Sequence, residues 1–215
     1  MTVLELRQYT MVPGRRDDFV DIFDREFVES QEALGIEVLG QFRDLGNPNR
    51  YVWIRRFPDM ESRKASLEAF YDGPVWAEHK DAANATMTEW HDVLLLRPVW
   101  EGGDLNHDAN SRAAPGVGAS TGGEMTIAVW PVDLPKMAAF IEAFRTACPD
   151  ALAAYVTEPS ENTYPGLPIR EGENVFVGVF SGAIDVRVSA LADLASGPET
   201  ALALAPTPRS ALRGG

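Results

Sequence analysis

The chain has 215 residues, of which 45% are hydrophobic and 24% charged, and its 32 acidic against 19 basic side chains give a formal charge of −13. Such a balance argues against nucleic-acid binding through phosphate neutralisation and against adhesion to an anionic membrane surface. One cysteine, Cys148, excludes an internal disulfide or thiolate cluster, and no apolar run approaches the ~20 residues of a membrane helix. With no signal-peptide pattern ahead of Val3, a cytoplasmic protein with small-molecule or protein partners is expected.

Residues 2–10 alternate in character and read as a strand, with Leu4 and Leu6 on one face and Glu5, Arg7 and Tyr9 on the other. Pro13-Gly14 marks a turn, and a helix is expected from Arg15 to Leu34 with Phe19, Ile22, Phe23, Phe27 and Leu34 inward and Gly35 as its cap. Glu26 falls beside that stripe, either wetted at its edge or looking into a cavity. Strands are expected over Ile36–Arg43 and Tyr51–Phe57, the latter with Tyr51, Trp53 and Arg55 on one face. A helix follows over Asp59–Phe70.

The stretch Ala69–Thr88 is the most informative of the chain. Gly73-Pro74 breaks one helix and starts another, on which Trp76, His79, Ala83 and Met87 share a face with Asn84 beside it. An imidazole among an indole, a thioether and a carboxamide suggests either a packed core with polar punctuation or the wall of a small-molecule pocket. The strand Asp92–Val99 completes an order β, α, β, β, interrupted α, β, the grammar of a ferredoxin-like α+β unit.

Residues 101–123 read as a flexible linker in which His107 is solvated. The grammar then returns, with strands near Met125–Trp130, Asp150–Glu158, Asn174–Phe180 and Ala201–Ala205 and a helix over Pro135–Ala147. Arg63, Leu67 and Gly73-Pro74 align with Arg187, Leu191 and Gly197-Pro198. The counterpart of Trp76–Thr88 is missing, and a loop over Pro159–Gly172 is inserted instead. The expected organisation is a site-bearing unit over 1–100, the linker, and a degenerate second unit over 124–215, in which the two antiparallel sheets pack face to face.

His79 is the best candidate for acid/base work, because imidazole titrates near neutrality. Arg55 and Tyr9 are candidates to assist it, and Arg55 and Arg7 could bind a carboxylate or enolate oxygen through their planar guanidiniums, although both arginines could equally pair with Glu5 across the sheet–sheet interface. Tyr51, Trp53, Trp76, Asn84, Met87 and Glu26 are the candidate ligand contacts. The histidines at 79, 91 and 107 lack metal-ligand spacing, so no metal site is expected. Axial ligation of haem by His79 has no second supporting feature, and no phosphate loop or dinucleotide fingerprint is present. No cofactor is expected.

Over residues 3–98 the chain resembles the NIPSNAP family, a branch of the dimeric α+β barrel superfamily. ELRQYT (5–10), GQFRDL (40–45), VWIRRFPDM (52–60), FYDGPVWAEHKDAANATM (70–87) and LLLRP (94–98) carry the resemblance. It implies two ferredoxin-like units closed into a barrel, here within one chain, with a homodimer left open. It also implies kinship with cofactor-free monooxygenases, haem-degrading enzymes, dehydratases and small-molecule isomerases, whose ligands lie between sheet and helices. Two functions are carried forward. One is an enzyme acting without an organic cofactor on a small, hydrophobic, partly aromatic or carbonyl-containing metabolite; the other is a non-catalytic binding or scaffold module.

Overall fold

The alternation along the first strand decides the architecture. In the computed structural model, which describes residues 1–107, 109, 112–117, 122–185 and 189–214, strand β1 (Val3–Met11) turns Leu4 and Leu6 into a barrel and Glu5, Arg7 and Tyr9 toward helices. Strand β3 (Arg50–Phe57) lies antiparallel to it and does the same, with Val52 and Ile54 inside and Tyr51, Trp53 and Phe57 on the helix side. A side-chain period of two makes each strand serve both layers.

The remaining strands are β2 (Glu37–Asp44), β4 (Met87–Pro98), β5 (Met125–Pro131), β6 (Ala153–Thr157), β7 (Val175–Ser181) and β8 (Thr200–Pro206). All eight form one closed barrel in the order β1-β3-β2-β8-β5-β7-β6-β4. The first four strands therefore run β4-β1-β3-β2 and the last four β8-β5-β7-β6, the same antiparallel ferredoxin-like order in each half. Short ladders join the halves, Phe42–Asp44 pairing with Leu204–Pro206 and Leu96–Pro98 with Tyr155–Thr157. Closure in this way leaves no edge strand among the described residues of the barrel. The interior is filled with aliphatic side chains from both halves, together with Phe42 and Tyr155. The barrel itself is a core, not a pore.

Helices cover the outer faces. In the first half, α1 (Arg16–Ile22), a π-helical turn (Phe23–Phe27) and α2 (Val28–Glu32) form one interrupted helix. It is joined by α3 (Met60–Tyr71) and α4 (Pro74–Asn84). In the second half, α5 (Leu134–Ala147) and the short α6 (Ser189–Ala192) lie over Trp130, Phe176 and Phe180. No helix among the described residues is long and apolar enough to cross a membrane.

Several expectations are corrected. The first helix ends at Glu32 and leaves Leu34 exposed, while Gly35 takes the left-handed conformation (φ 81°) that closes it. Gly73 has an ordinary φ of −80°, so unusual dihedrals are not why it is glycine. The reason is steric, since a Cβ there would lie 2.8 Å from the Ala69 carbonyl oxygen. Met87 opens β4 and does not share the helical face of His79. Part of the expected linker is packed: Leu105 is buried in the barrel core and Asp104 accepts hydrogen bonds from Thr2 and Tyr155. His107 is largely buried, 3.9 Å from Glu37, and burial pushes its pKa down. Arg187, aligned above with Arg63, lies outside the described residues.

Candidate functional site

On the helix side of the first half, the sequence places more aromatic rings than the layer can close over. Tyr9 and Trp53 come from the sheet, Phe19, Phe23 and Phe27 from the first helix, and Phe70, Tyr71 and Trp76 from α3 and α4. Phe23–Trp53 and Tyr71–Trp76 meet edge to face, with centroids 4.8 and 4.9 Å apart, and Phe27 lies tilted against Trp76 at 5.6 Å. They enclose a cavity of about 350 Å³, opened to solvent past Asp72, Asn84, Trp90 and Gly166. That volume lies at the lower end for small-ligand pockets. The π-helical turn belongs to this wall, where an extra residue in the helix resets which side chains face the sheet.

A buried charge cluster backs the cavity. Glu5 and Arg55 are direct cross-strand partners. The Glu5 carboxylate accepts from Arg7 Nη1 at 2.6 Å, Arg55 Nε at 2.7 Å and Arg63 Nε at 2.6 Å, and all four side chains are fully buried. Arg55 also donates to the Gln31 amide oxygen at 3.0 Å. Burial alone would raise Glu5, but the charges of Arg55, Arg7 and Arg63 outweigh it and hold its carboxyl far below the usual range. The expectation that Arg7 and Arg55 pair with Glu5 across the sheet–sheet interface is therefore half right. The pairing exists, but on the helix side of one sheet.

Arg7 reaches further, its Nε donating to the Tyr9 hydroxyl oxygen at 2.8 Å. Burial raises the Tyr9 pKa against the opposing charge of Arg7, so the phenol keeps its proton. With its oxygen already accepting from Arg7, that proton is free to be donated to another group, and Tyr9 lines the cavity. Trp53 lines it too, and its buried indole Nε1–H has no hydrogen-bond partner.

Of the residues singled out from the sequence, Tyr9, Trp53, Trp76, Asn84 and Met87 line this cavity. Arg55 stands behind it, in the charge cluster. Tyr51 is fully buried between Phe19 and Phe23, and burial pushes its pKa well up. His79 and Glu26 do not line the cavity. They face one another on its outer side, Nε2 to Oε2 at 3.5 Å, with side chains 27% and 30% exposed, and the His79 ring packs against Phe27 at 6.4 Å. An indole and a sulfur side chain thus border the void, whereas the imidazole sits one layer out. Among the described residues, no group of three or more His, Cys, Asp or Glu is disposed to hold a metal ion. Cys148 lies half-buried under α5 and burial raises its thiol pKa, as suits a small packed side chain.

One wall was missed from the sequence. The inserted loop of the second half crosses onto the first and supplies Tyr164, Gly166 and Leu167 to the lining. Tyr164 stacks on Tyr71 with centroids 5.9 Å apart. Arg63 Nη1 donates to Asn162 Oδ1 at 3.1 Å, and the Arg170 amide donates to the Val93 carbonyl at 2.8 Å. The loop is thus pinned to the charge cluster at one end and to β4 at the other.

A closed eight-stranded antiparallel barrel with helices outside defines an α+β barrel protein. The structure of a candidate monooxygenase from Fusobacterium nucleatum superposes with a TM-score of 0.60 at 8% identity, covering 99% of this chain and 95% of that one. A second candidate monooxygenase, from Lactobacillus acidophilus, gives 0.58 at 13% identity over 99% and 98% of the two chains. At such identities the likeness is one of fold. The family model named NIPSNAP matches residues 4–100, most of the first half of the chain. A NIPSNAP-like domain protein from Burkholderia xenovorans is 23% identical, covering 46% of this chain and 85% of its own, with a TM-score of 0.42. No curated protein sequence matches the chain.

Proposed function

We propose that the chain binds a small, largely apolar, carbonyl-bearing metabolite in the cavity of its first half, and that Tyr9 is the group that exchanges a hydrogen bond or proton with it. The observation that carries this reading is a proton-bearing phenol, polarised by a buried guanidinium at 2.8 Å, on the wall of an aromatic cavity of about 350 Å³. Aromatic walls supply affinity for a flat apolar skeleton and the polar groups fix its orientation. Acid/base chemistry of this kind needs no organic cofactor, whether the reaction is an oxygenation, an isomerisation or a dehydration. Arg7 then acts as a positioning residue through Tyr9. The His79–Glu26 pair, one layer out, is proposed to orient the helical wall through Phe27 and to relay protons to solvent. A second reading, binding without turnover, draws support from that same displacement of His79 from the lining.

The experiment is saturation-transfer NMR with a panel of aromatic ketones and aldehydes on the intact chain and on Met87→Trp, which fills the cavity from its half-exposed edge. Transfer to at least one compound in the wild type, lost in a variant of unchanged melting temperature, is the expected outcome. Equal transfer in both proteins, or none in either, would remove the cavity from the function.

A further inference from the structure

The charge cluster behind the cavity is out of balance. Three guanidiniums, those of Arg7, Arg55 and Arg63, meet one carboxylate, Glu5, and all four are fully buried. Each guanidinium keeps one Nη2 that is buried without a hydrogen-bond partner. Two positive charges are left uncompensated in a place where burying even one is costly. Cation–π contacts absorb part of this, Arg7 lying 5.5 Å from the Tyr9 and Trp53 ring centroids and Arg55 5.0 Å from that of Trp53. Those are the two rings that form the cavity floor, so the excess charge lies directly under it. The chain as a whole carries −13, so the positive field is local to this site.

We infer that the ligand of this cavity is a conjugated organic anion, such as an aromatic carboxylate, seated with its charged oxygen at the Tyr9 hydroxyl above the three guanidiniums and its rings against Trp53 and Phe23. This rests on the cavity reading above and adds the ligand's charge to it. The anion supplies the missing counter-charge across a short, water-poor distance, where Coulombic attraction is strong. Tyr9, whose hydroxyl already accepts from Arg7 and keeps its own proton to give, donates to it. The one carboxylate of the lining, Asp72, sits exposed at the mouth, where solvent and salt screen it.

The test titrates the intact wild-type chain with matched acid and amide probes, 2-naphthoate against 2-naphthamide and benzoate against benzamide, following tryptophan fluorescence and heat of binding. The expected result is that a carboxylate binds at least about ten-fold more tightly than its amide, and that Tyr9→Phe reduces this preference to about three-fold or less. An amide that binds as well as its acid would overturn the anion inference and leave the cavity reading standing. If no member of either pair binds, both fall. The comparison in the wild type decides the matter even if Tyr9→Phe fails to fold.

Discussion

Asp24 and Glu5 are buried carboxylates treated in opposite ways by their surroundings. At Glu5 opposing charges overcome burial and the pKa is depressed, so its contribution to stability is present above the unfolded carboxylate range and lost as pH falls. At Asp24 burial wins over a hydrogen bond from Thr207 and the charge of Arg209, and the pKa is pushed up to about 6. Protonation there favours the folded state. Its penalty is full above pH 6 and relieved as pH falls toward the unfolded value near 4. Asp24→Asn keeps the oxygen that accepts from Thr207. It is expected to stabilise the chain by about 1–3 kcal/mol at neutral pH and by almost nothing near pH 4. Urea denaturation at the two pH values checks this, and a gain that does not depend on pH would refute it. Neither shift was legible in the sequence. Asp24 sits at the edge of a helical stripe like any solvated acid, and the C-terminal segment carrying Thr207 and Arg209, remote in sequence, comes over it.

Among the elements, the two helical layers differ because one is filled and the other is not. Over β7, Gly178 allows the Phe144 ring of α5 to lie directly on the strand, where a Cβ would come within 2.8 Å of it. Phe144 is packed in turn against Trp130 and Phe176 and has nowhere to move. Gly178→Ala is therefore expected to cost about 1–3 kcal/mol through overpacking, measurable as a fall in the denaturation midpoint. An unchanged midpoint would mean that this layer has slack. The first half has no such closure, since Trp76 and Tyr71 stand off the sheet around the cavity. The sequence signalled the asymmetry, because the counterpart of Trp76–Thr88 is missing from the second half. It did not signal what the inserted loop does. Tyr164 lies 93 residues beyond Tyr71, the ring it stacks on, and no local periodicity encodes a contact at that separation.

At the scale of the whole molecule, each half of the barrel leaves strands and apolar surface that the other covers. Without the second half, β2 and β4 would lose their ladders to β8 and β6, and Leu4, Leu6, Ile54, Leu94 and Leu96 would face water. A fragment of residues 1–100 is expected to pair with itself through those same edges or to precipitate. Light scattering after size exclusion measures this. A stable, soluble monomer would show that the ladders between the halves contribute little.

The sequence by itself determined the strand and helix grammar of both halves, the division of β1 and β3 into an aliphatic and a polar-aromatic face, and the ring-rich composition of the first helical layer, but not which of those faces turns toward the helices. These follow from periods of two and of 3.6 residues, which are local properties of the chain. Tertiary structure alone decided that Glu5 gathers three arginines, that His79 turns to Glu26 outside the cavity, that Met87 belongs to a strand, and that a loop from the far half closes the wall. Each of these depends on which surfaces meet once the barrel closes. Burial and charge act through that proximity, and spacing along the chain carries no record of it.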